Sequence, residues 1–398
     1  MEILSPAGNL QKLKTAVRFG ADAVYTSGKN FGLRAKSTNL SESELQEAVL
    51  FCKENSKKIY VTVNIFADNN DADALPEYLT FLQKIKVDGI IVADPAVFAT
   101  ATEFCPDIPL HISTQANVTS WKSAEFWYKL GARRIIVARE LSIEQIRTIK
   151  EKIPDLEIEM FVHGAMCMAY SGRCLISSFL NNRSANKGEC THPCRWKYNL
   201  TEETRPGEYF PVEEDSTGTY IMNSKDLCLL NRLQEIIDAG VDSIKIEGRM
   251  KSMYYAANVT RIYKTAVKLL SVGKKAPDLF IEELHKVSHR VYAEGFFDGF
   301  NSNETQHYES SAYIREHQFL GEITEVKGNE TYVFVRSKFF AEDEIDIIFP
   351  DINDDLHLKG VQIFDEENNS LDFTKPNTIV KLKLNQNIPM HGILRKKI

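Results

Sequence analysis

Four cysteines fall within 28 residues: Cys167, Cys174, Cys190 and Cys194. The gaps between them are six, fifteen and three residues. They sit among turn-forming Gly, Ser, Asn and Pro, in Cys167-Met-Ala-Tyr-Ser-Gly-Arg-Cys and in Gly188-Glu-Cys-Thr-His-Pro-Cys-Arg-Trp. A lone free cysteine is normally a small buried core residue. Four thiols gathered on turns instead form a cage, and thiolates suit an iron–sulfur cluster or zinc. The C-x6-C-x15-C-x3-C spacing does not match the paired C-x2-C knuckles of zinc ribbons, so a cluster ranks first and zinc second. Cys228, in Ser224-Lys-Asp-Leu-Cys, competes with Cys194 for the fourth position, although Leu227 and Leu229 beside it suit a core residue. Cys52 and Cys105 accompany apolar helices and read as packing residues.

A second set of residues ends or follows short apolar runs: Ser5, Tyr25, Arg34, Asn64, Asp94, Ser113, Gln115, Arg139, Glu140, His163, Lys245, Glu247 and Arg249. In Ile244-Lys-Ile-Glu-Gly-Arg, Lys245 and Glu247 alternate with apolar residues, which puts both on one face of a strand. Charges on an interior face are costly unless paired or used. His163, Lys245 and Glu247 are the candidate catalytic groups. Arg34, Arg139 and Arg249 would bind carboxylates through bidentate pairing, with Asn64 and Gln115 as further substrate-binding residues. The alternative for Lys245 and Glu247 is a structural Lys–Glu or Arg–Glu pair, and for His163 a satisfied core histidine. No His-Glu-x-x-His or Gly-x-Ser-x-Gly motif is present, which argues against common hydrolase chemistry.

These residues need a scaffold, and the chain punctuates one. Helical segments end in Gly-plus-small turns followed by β-branched runs, as in Phe19-Gly-Ala-Asp-Ala-Val-Tyr, Val87-Asp-Gly-Ile-Ile-Val, Leu130-Gly-Ala-Arg-Arg-Ile-Ile-Val and Ala239-Gly-Val-Asp-Ser-Ile-Lys-Ile. With the runs at Ile3-Leu4, 59–63, 110–113 and 158–162, eight strands are expected. Glu42–Lys53, Ala74–Ile85, Ala124–Leu130 and Ile143–Lys150 carry helical spacing. Buried runs alternating with helices predict an α/β fold, a TIM-like (β/α)8 barrel, with an open doubly wound sheet as the alternative. No Gly-x-Gly-x-x-Gly follows the first strand, which weakens a dinucleotide-binding reading. One connection, about 164–242, is far longer than an ordinary βα loop, and it holds all four clustered cysteines. Long insertions at the C-terminal ends of barrel strands usually carry function. Helices are expected from Ser252 to about Leu270 and around Leu279–Tyr292. Strands near residues 331–336, 344–349, 360–364 and 379–384 predict a small C-terminal antiparallel β-barrel. The expected domains are 1–272 for the barrel with its cysteine-rich insertion, 273–307 as a helical linker and 308–398 for the β-barrel.

The 398 residues exceed one ordinary core. Apolar content of 43% and charged content of 26% suit a globular protein. No run of about 18 apolar residues predicts a membrane helix. The start Met1-Glu-Ile-Leu-Ser-Pro lacks signal-peptide character, so a reducing cytoplasm is expected, where clustered cysteines favour metal ligation over disulfides. The net charge of −7 excludes a generally basic nucleic-acid coat but not a local basic groove.

The chain resembles the collagenase-like peptidase family of unassigned catalytic type. The resemblance rests on Ser5-Pro-Ala-Gly-Asn, Gly32-Leu-Arg, Ser113-Thr-Gln-Ala, Glu159-x-Phe-Val-His-Gly-Ala-Met-Cys-x6-Cys-Leu-Ile-Ser, Cys194-Arg-Trp and Lys245-Ile-Glu-Gly-Arg. It runs over nearly the whole chain, including the C-terminal β-barrel, which looks like a translation-factor-type barrel. Cys190-Thr-His-Pro-Cys-Arg-Trp-Lys-Tyr and Met222-Asn-Ser-Lys-Asp-Leu are most similar to the branch implicated in prephenate-dependent formation of 5-hydroxyuridine at position 34 of tRNA. The resemblance implies an oxygen-independent tRNA uridine hydroxylase with a [4Fe–4S] cluster on Cys167, Cys174, Cys190 and Cys194. It implies prephenate, a dicarboxylate, near Arg34, Arg139 and Arg249. It implies tRNA as partner, held in part by the C-terminal barrel and the tail Arg395-Lys-Lys. A homo-oligomer or a paralogue partner is left open. The alternatives are a collagenase-like peptidase and a non-catalytic RNA-binding assembly subunit.

Overall fold

The computed structural model describes residues 1–32, 39–166, 225–299, 313–384 and 388–398, with Ser177, Asn181, Arg183 and Thr191 and the backbone of two short strands in between. The chain divides into two compact units. The first comprises Met1–Lys14, Asp22–Lys251 and Arg290–Tyr313, and the second Thr15–Ala21, Ser252–His289 and Ile314–Ile398.

The first unit is built on β1 (Glu2–Pro6), β2 (Ala23–Thr26), β3 (Lys58–Val63), β4 (Gly89–Val92), β5 (Leu110–Ile112), β6 (Arg134–Ile136) and β7 (Glu157–Ala165). Each pairs in parallel with the next. The helices α1 (Leu10–Arg18), α2 (Glu42–Glu54), α3 (Asn69–Ile85), α4 (Pro95–Phe104), α5 (Trp121–Lys129) and α6 (Ile143–Lys152) follow the first six strands in turn. Local sequence starts them: Ser41, Asp68, Ser120 and Ser142 each close a capping box at a helix N-terminus. Asp94, expected among the mouth residues, caps α4 by accepting from Ala96 and Val97 N–H.

In the long connection, β8 (Glu214–Asp215) and β9 (Gly218–Thr219) form an antiparallel ribbon. β10 (Asp226–Cys228) then pairs antiparallel with the end of β7, setting Cys228 opposite His163. β11 (Ser243–Ile246) pairs in parallel with both β7 and β1, and this closes the eight-stranded barrel. The expected barrel is therefore the observed one. β12 (Tyr292–Ala293) adds to β10.

Two local expectations are corrected. At Val87-Asp-Gly the left-handed residue is Lys86 (φ 61°), not Gly89. Gly89 serves a close approach instead: a Cβ there would stand 3.0 Å from both His111 and Tyr60. The helix expected to run to Tyr292 ends at His285, because the following residues extend into the bridge at His289 and the pairing of β12. Tertiary pairing overrides helical spacing there.

The second unit holds β13 (His317–Lys327), β14 (Glu330–Val335), β15 (Glu344–Ile348), β16 (Leu356–Lys359), β17 (Gln362–Phe364), β18 (Ser370–Leu371), β19 (Ile379–Lys383) and β20 (Ile393–Lys397). They form one antiparallel sheet in the order β16-β15-β20-β13-β14-β19-β17-β18, a half-barrel around Leu320, Ile323, Val333, Phe349, Leu382 and Leu394. A helix Met253–Ser271, capped by Ser252, completes this unit with the shorter Leu279–His285. Arg261, fully buried, reaches Asp355 at 2.7 Å and Glu283 at 3.2 Å. Arg395 binds Glu283 at 2.9 Å and Asp346 at 3.1 Å. Arg395 is thus consumed inside the unit, and Lys396 pairs with Asp343 at 2.7 Å. Two of the three cations of the Arg395-Lys-Lys tail are thus engaged within the unit, and Lys397 is exposed. Burial would raise the Glu283 carboxyl, but Arg395 and Lys286 pull it down to about 2.

Candidate functional site

The lumen of the barrel is polar from the bottom up. At the N-terminal end, the Arg134 guanidinium binds Glu2 at 2.6 Å, Glu157 at 2.8 Å and Glu159 at 2.9 Å. The Tyr60 and Ser243 hydroxyls also donate to Glu2, at 2.8 and 3.0 Å. Glu159, without solvent exposure, holds Lys245 Nζ at 2.8 Å. Inward alternation on β7 and β11 produces this ladder, since Glu157, Glu159 and Lys245 share one face of their strands. Burial disfavours the charged form of Lys245, while Glu159 supports it; the balance leaves its ammonium below the usual lysine range. Burial likewise lowers His111, with Arg134 and Lys245 adding to the effect, so this imidazole is neutral. Of the alternatives open for Lys245, the structure shows the buried Lys–Glu pair.

The mouth lies above the ladder. Lys245 Nζ sits 4.4 Å from the Tyr25 ring centre. The Tyr25 hydroxyl donates to the Ile246 carbonyl at 2.9 Å and to Glu247 Oε2 at 3.3 Å. Arg139 Nη2 lies 3.9 Å from the same Glu247 oxygen. The Arg139 guanidinium stacks on Phe161 at 3.9 Å and donates Nη1–H to the Ala165 carbonyl at 2.5 Å. Its Nε–H is buried with no hydrogen-bond partner among the described residues, as is Glu140 Oε2 beside it. Burial raises the Glu140 carboxyl above its usual range. Arg249 Nη1 donates to Thr62 Oγ1 at 3.2 Å. Asn64 donates to Gln115 Oε1, which also accepts from Ser113 Oγ at 3.0 Å. His163 is buried on β7, its Nε2 3.4 Å from the Tyr292 hydroxyl.

Tyr25, Arg139 and Glu247 are therefore brought together, Asn64 joins Gln115, and Arg249 joins Thr62. Arg34 and the four clustered cysteines lie outside the described residues. β7 carries the chain to Met166, the residue before Cys167. Among the described residues, no group of three or more His, Cys, Asp or Glu side chains is arranged to hold a metal ion. Cys52 and Cys105 are buried packing residues whose thiols burial pushes up to about 12. Sequence reasoning missed Glu159 as the partner of Lys245 and Arg134 as the second cation on Glu159. The period-two alternation Glu157-Ile-Glu159-Met was the available signal. A cavity of about 590 Å³ opens beside the loops after β1 and β2, lined by Asn9, Leu10, Gln11, Lys14, Asn39 and Glu44.

A closed parallel barrel with polar side chains gathered at its C-terminal mouth is the frame of the TIM-barrel class. The chain belongs to peptidase family U32: the profile described as Peptidase family U32 matches residues 8–307, and that of the Peptidase family U32 C-terminal domain matches residues 315–395. The tRNA hydroxylation protein P1 of Bacillus subtilis (strain 168) is 39% identical over 404 residues, covering 99% of this chain and 94% of the relative. The tRNA hydroxylation protein P of Escherichia coli (strain K12) is 36% identical over 402 residues, covering 91% and 89%. Among solved structures, the U32 peptidase Mk0906 aligns with a TM-score of 0.42 at 18% identity, covering 62% of this chain and 93% of that one. No helix among the described residues is long and apolar enough to cross a membrane.

Proposed function

We propose that this protein takes part in tRNA hydroxylation, replacing the C5 hydrogen of uridine 34 by a hydroxyl group in a prephenate-dependent reaction. The relatives named as tRNA hydroxylation proteins support the reaction class. The observation that carries the substrate reading is Arg139: its buried Nε–H has no partner among the described residues, and a buried unsatisfied donor costs about 1–3 kcal/mol. A carboxylate at the mouth would remove that cost. Arg139 and Arg249, with Arg34, would hold the two carboxylates of prephenate, and Asn64 and Gln115 would hold its remaining polar groups or the base.

Glu247 acts in this reading as the proton acceptor at the mouth, oriented by the Tyr25 hydroxyl. His163 holds a proton behind it, against Tyr292. Lys245 is a positioning residue: bound to Glu159 and lying against the Tyr25 ring, it sets the tyrosine that sets Glu247. Cys167, Cys174, Cys190 and Cys194 would hold a [4Fe–4S] cluster, which supplies one-electron chemistry when bound. Four thiolates also suit zinc, and iron counting separates the two.

The test is deletion of the gene, together with any paralogue, followed by mass spectrometry of tRNA nucleosides. Loss of 5-hydroxyuridine derivatives, restored by the parent gene but not by an Arg139→Ala copy, is the expected result. Unchanged nucleosides would sink the proposal. Anaerobically reconstituted protein that is colourless, iron-free and loaded with stoichiometric zinc would remove the cluster from it.

A further inference from the structure

The outer face of the second unit carries a group of side chains that its core does not use. The segment after β14 and the segment after β18 meet at an antiparallel bridge between Phe340 and Phe373. Thr374 N–H donates to the Phe339 carbonyl at 2.9 Å, Ala341 N–H to the Asp372 carbonyl at 2.9 Å, and Phe339 N–H to Thr374 Oγ1 at 3.0 Å. Phe339 and Thr374 are fully buried, and by the strand period of two their neighbours Phe340 and Phe373 face out. These two are 37% and 40% exposed, with ring centres 5.9 Å apart. Lys338 Nζ lies over both rings, 4.4 Å from the centre of Phe340 and 4.1 Å from that of Phe373. Lys338 precedes Phe340 by two residues and Lys375 follows Phe373 by two, so in this antiparallel pair both exposed lysines stand at one end. Glu342 and Asp372 stand at the other end, and Asp343 is held by Lys396.

Neither Lys338 nor Lys375 forms an ion pair among the described residues. Like charges across a strand pair repel, so an anion between them is stabilising. An exposed ring pair beside two such lysines fits a ligand that is both planar and anionic. A protein partner with an apolar face would cover the rings but take two ammonium groups out of water, which is costly. A single strand of RNA meets both demands, because a base stacks on the rings and its phosphates take the lysines. A lysine over a ring at an exposed site is held by a factor of about 2 to 5, whereas a stacked base gains about 5- to 150-fold. The base therefore displaces Lys338, whose flexible stem carries its charge to a phosphate. Double-stranded RNA keeps its base faces stacked and offers none to a ring.

We propose that Phe340, Phe373, Lys338 and Lys375 form a docking platform for an unpaired stretch of RNA on the second unit: a base takes the place of the Lys338 ammonium on the rings, and Lys338 and Lys375 bind the flanking phosphates. The proposal rests on the reading of RNA as substrate and gives the second unit the part of gripping unpaired nucleotides, separate from the chemistry of the barrel.

The test is fluorescence anisotropy with the full chain and, as labelled probes, oligouridylate, a blunt RNA duplex of equal length and oligoglutamate. Phe373→Ala is expected to weaken oligouridylate binding about 5- to 150-fold, the range for loss of one stacked base. Phe373→Tyr keeps the ring and is expected to bind as the parent does. Phe373→Leu keeps an apolar contact without a ring face and is expected to bind as poorly as the alanine variant. Lys338→Ala combined with Lys375→Ala is expected to flatten the dependence of log affinity on log salt by about 1.4, about 0.7 for each phosphate. The platform is overturned if the parent does not bind oligouridylate, if Phe373→Ala binds it like the parent, if Phe373→Leu binds as well as Phe373→Tyr, if duplex binding falls equally, or if oligoglutamate binds as tightly as oligouridylate. Nucleoside analysis of tRNA reads the reaction separately: ring-dependent binding without tRNA hydroxylation keeps the platform and sinks the proposed function, and hydroxylation with ring-independent binding does the reverse.

Discussion

Replacing Glu159 by Gln keeps its shape and removes the charge that joins the two cations of the lumen. In the parent, Glu159 accepts from Lys245 at 2.8 Å and from Arg134 at 2.9 Å, without solvent exposure. Arg134 keeps Glu2 and Glu157 after the change. Lys245, buried itself, loses its carboxylate at hydrogen-bond distance. Breaking a buried pair from one side costs about 3–5 kcal/mol, because an uncompensated charge stays in the interior. Since a glutamine oxygen still accepts one bond, the lower end applies, about 3 kcal/mol. Removing both partners, as Glu159→Leu with Lys245→Met, leaves no stranded ammonium and is expected to fall within about 1 kcal/mol of the parent. Guanidinium titration followed by tryptophan fluorescence measures this. Trp121 and Trp127 lie on α5 of the barrel and Trp196 falls in the long connection after β7, while the second unit contains no tryptophan, so the signal reports the first unit. A Glu159→Gln barrel as stable as the parent, or a double variant no better than the single one, would refute the reasoning.

Three further outcomes are expected. The Glu283 carboxyl, at about 2 when folded against an ordinary 4.5, contributes stability that is present above about pH 4.5 and lost as pH falls toward 2. That contribution is about 3 kcal/mol, and thermal melts of the parent should show an acid loss that Arg395→Met largely abolishes, at the cost of a lower starting stability. Arg139→Lys keeps the charge but loses the planar fork stacked on Phe161, so half-saturation by prephenate should rise about tenfold with the turnover number less affected. Cys228→Ser should leave the iron content of anaerobically reconstituted protein unchanged, whereas Cys194→Ser should lower it; the reverse pattern would make Cys228 the fourth ligand.

The barrel strands were legible because fully buried parallel strands read as short apolar runs between amphipathic helices. Tyr25, Asn64 and Glu247 were legible as strand-end residues for the same reason, since each lies at or just past the end of such a run. Less was legible where partners are distant in sequence. Lys245 and Glu159 are 86 residues apart, and neither carries a local sign of the other. In the second unit, β13 and β20 were not anticipated, because their mixed polar pattern becomes a strand only through pairing with each other and with β14 and β15.

The sequence by itself determined the alternation of strand and helix, the long connection after β7 and the clustering of thiols within it, because these depend on local spacing. It also determined which polar residues stand at strand ends. Only the tertiary structure decided which of them meet. Barrel closure carries β11 beside both β1 and β7, and those two pairings put Lys245 on Glu159 and Glu247 before Tyr25 and Arg139. A strand's period of two states which face a side chain takes, but the register between strands far apart in sequence states what it faces.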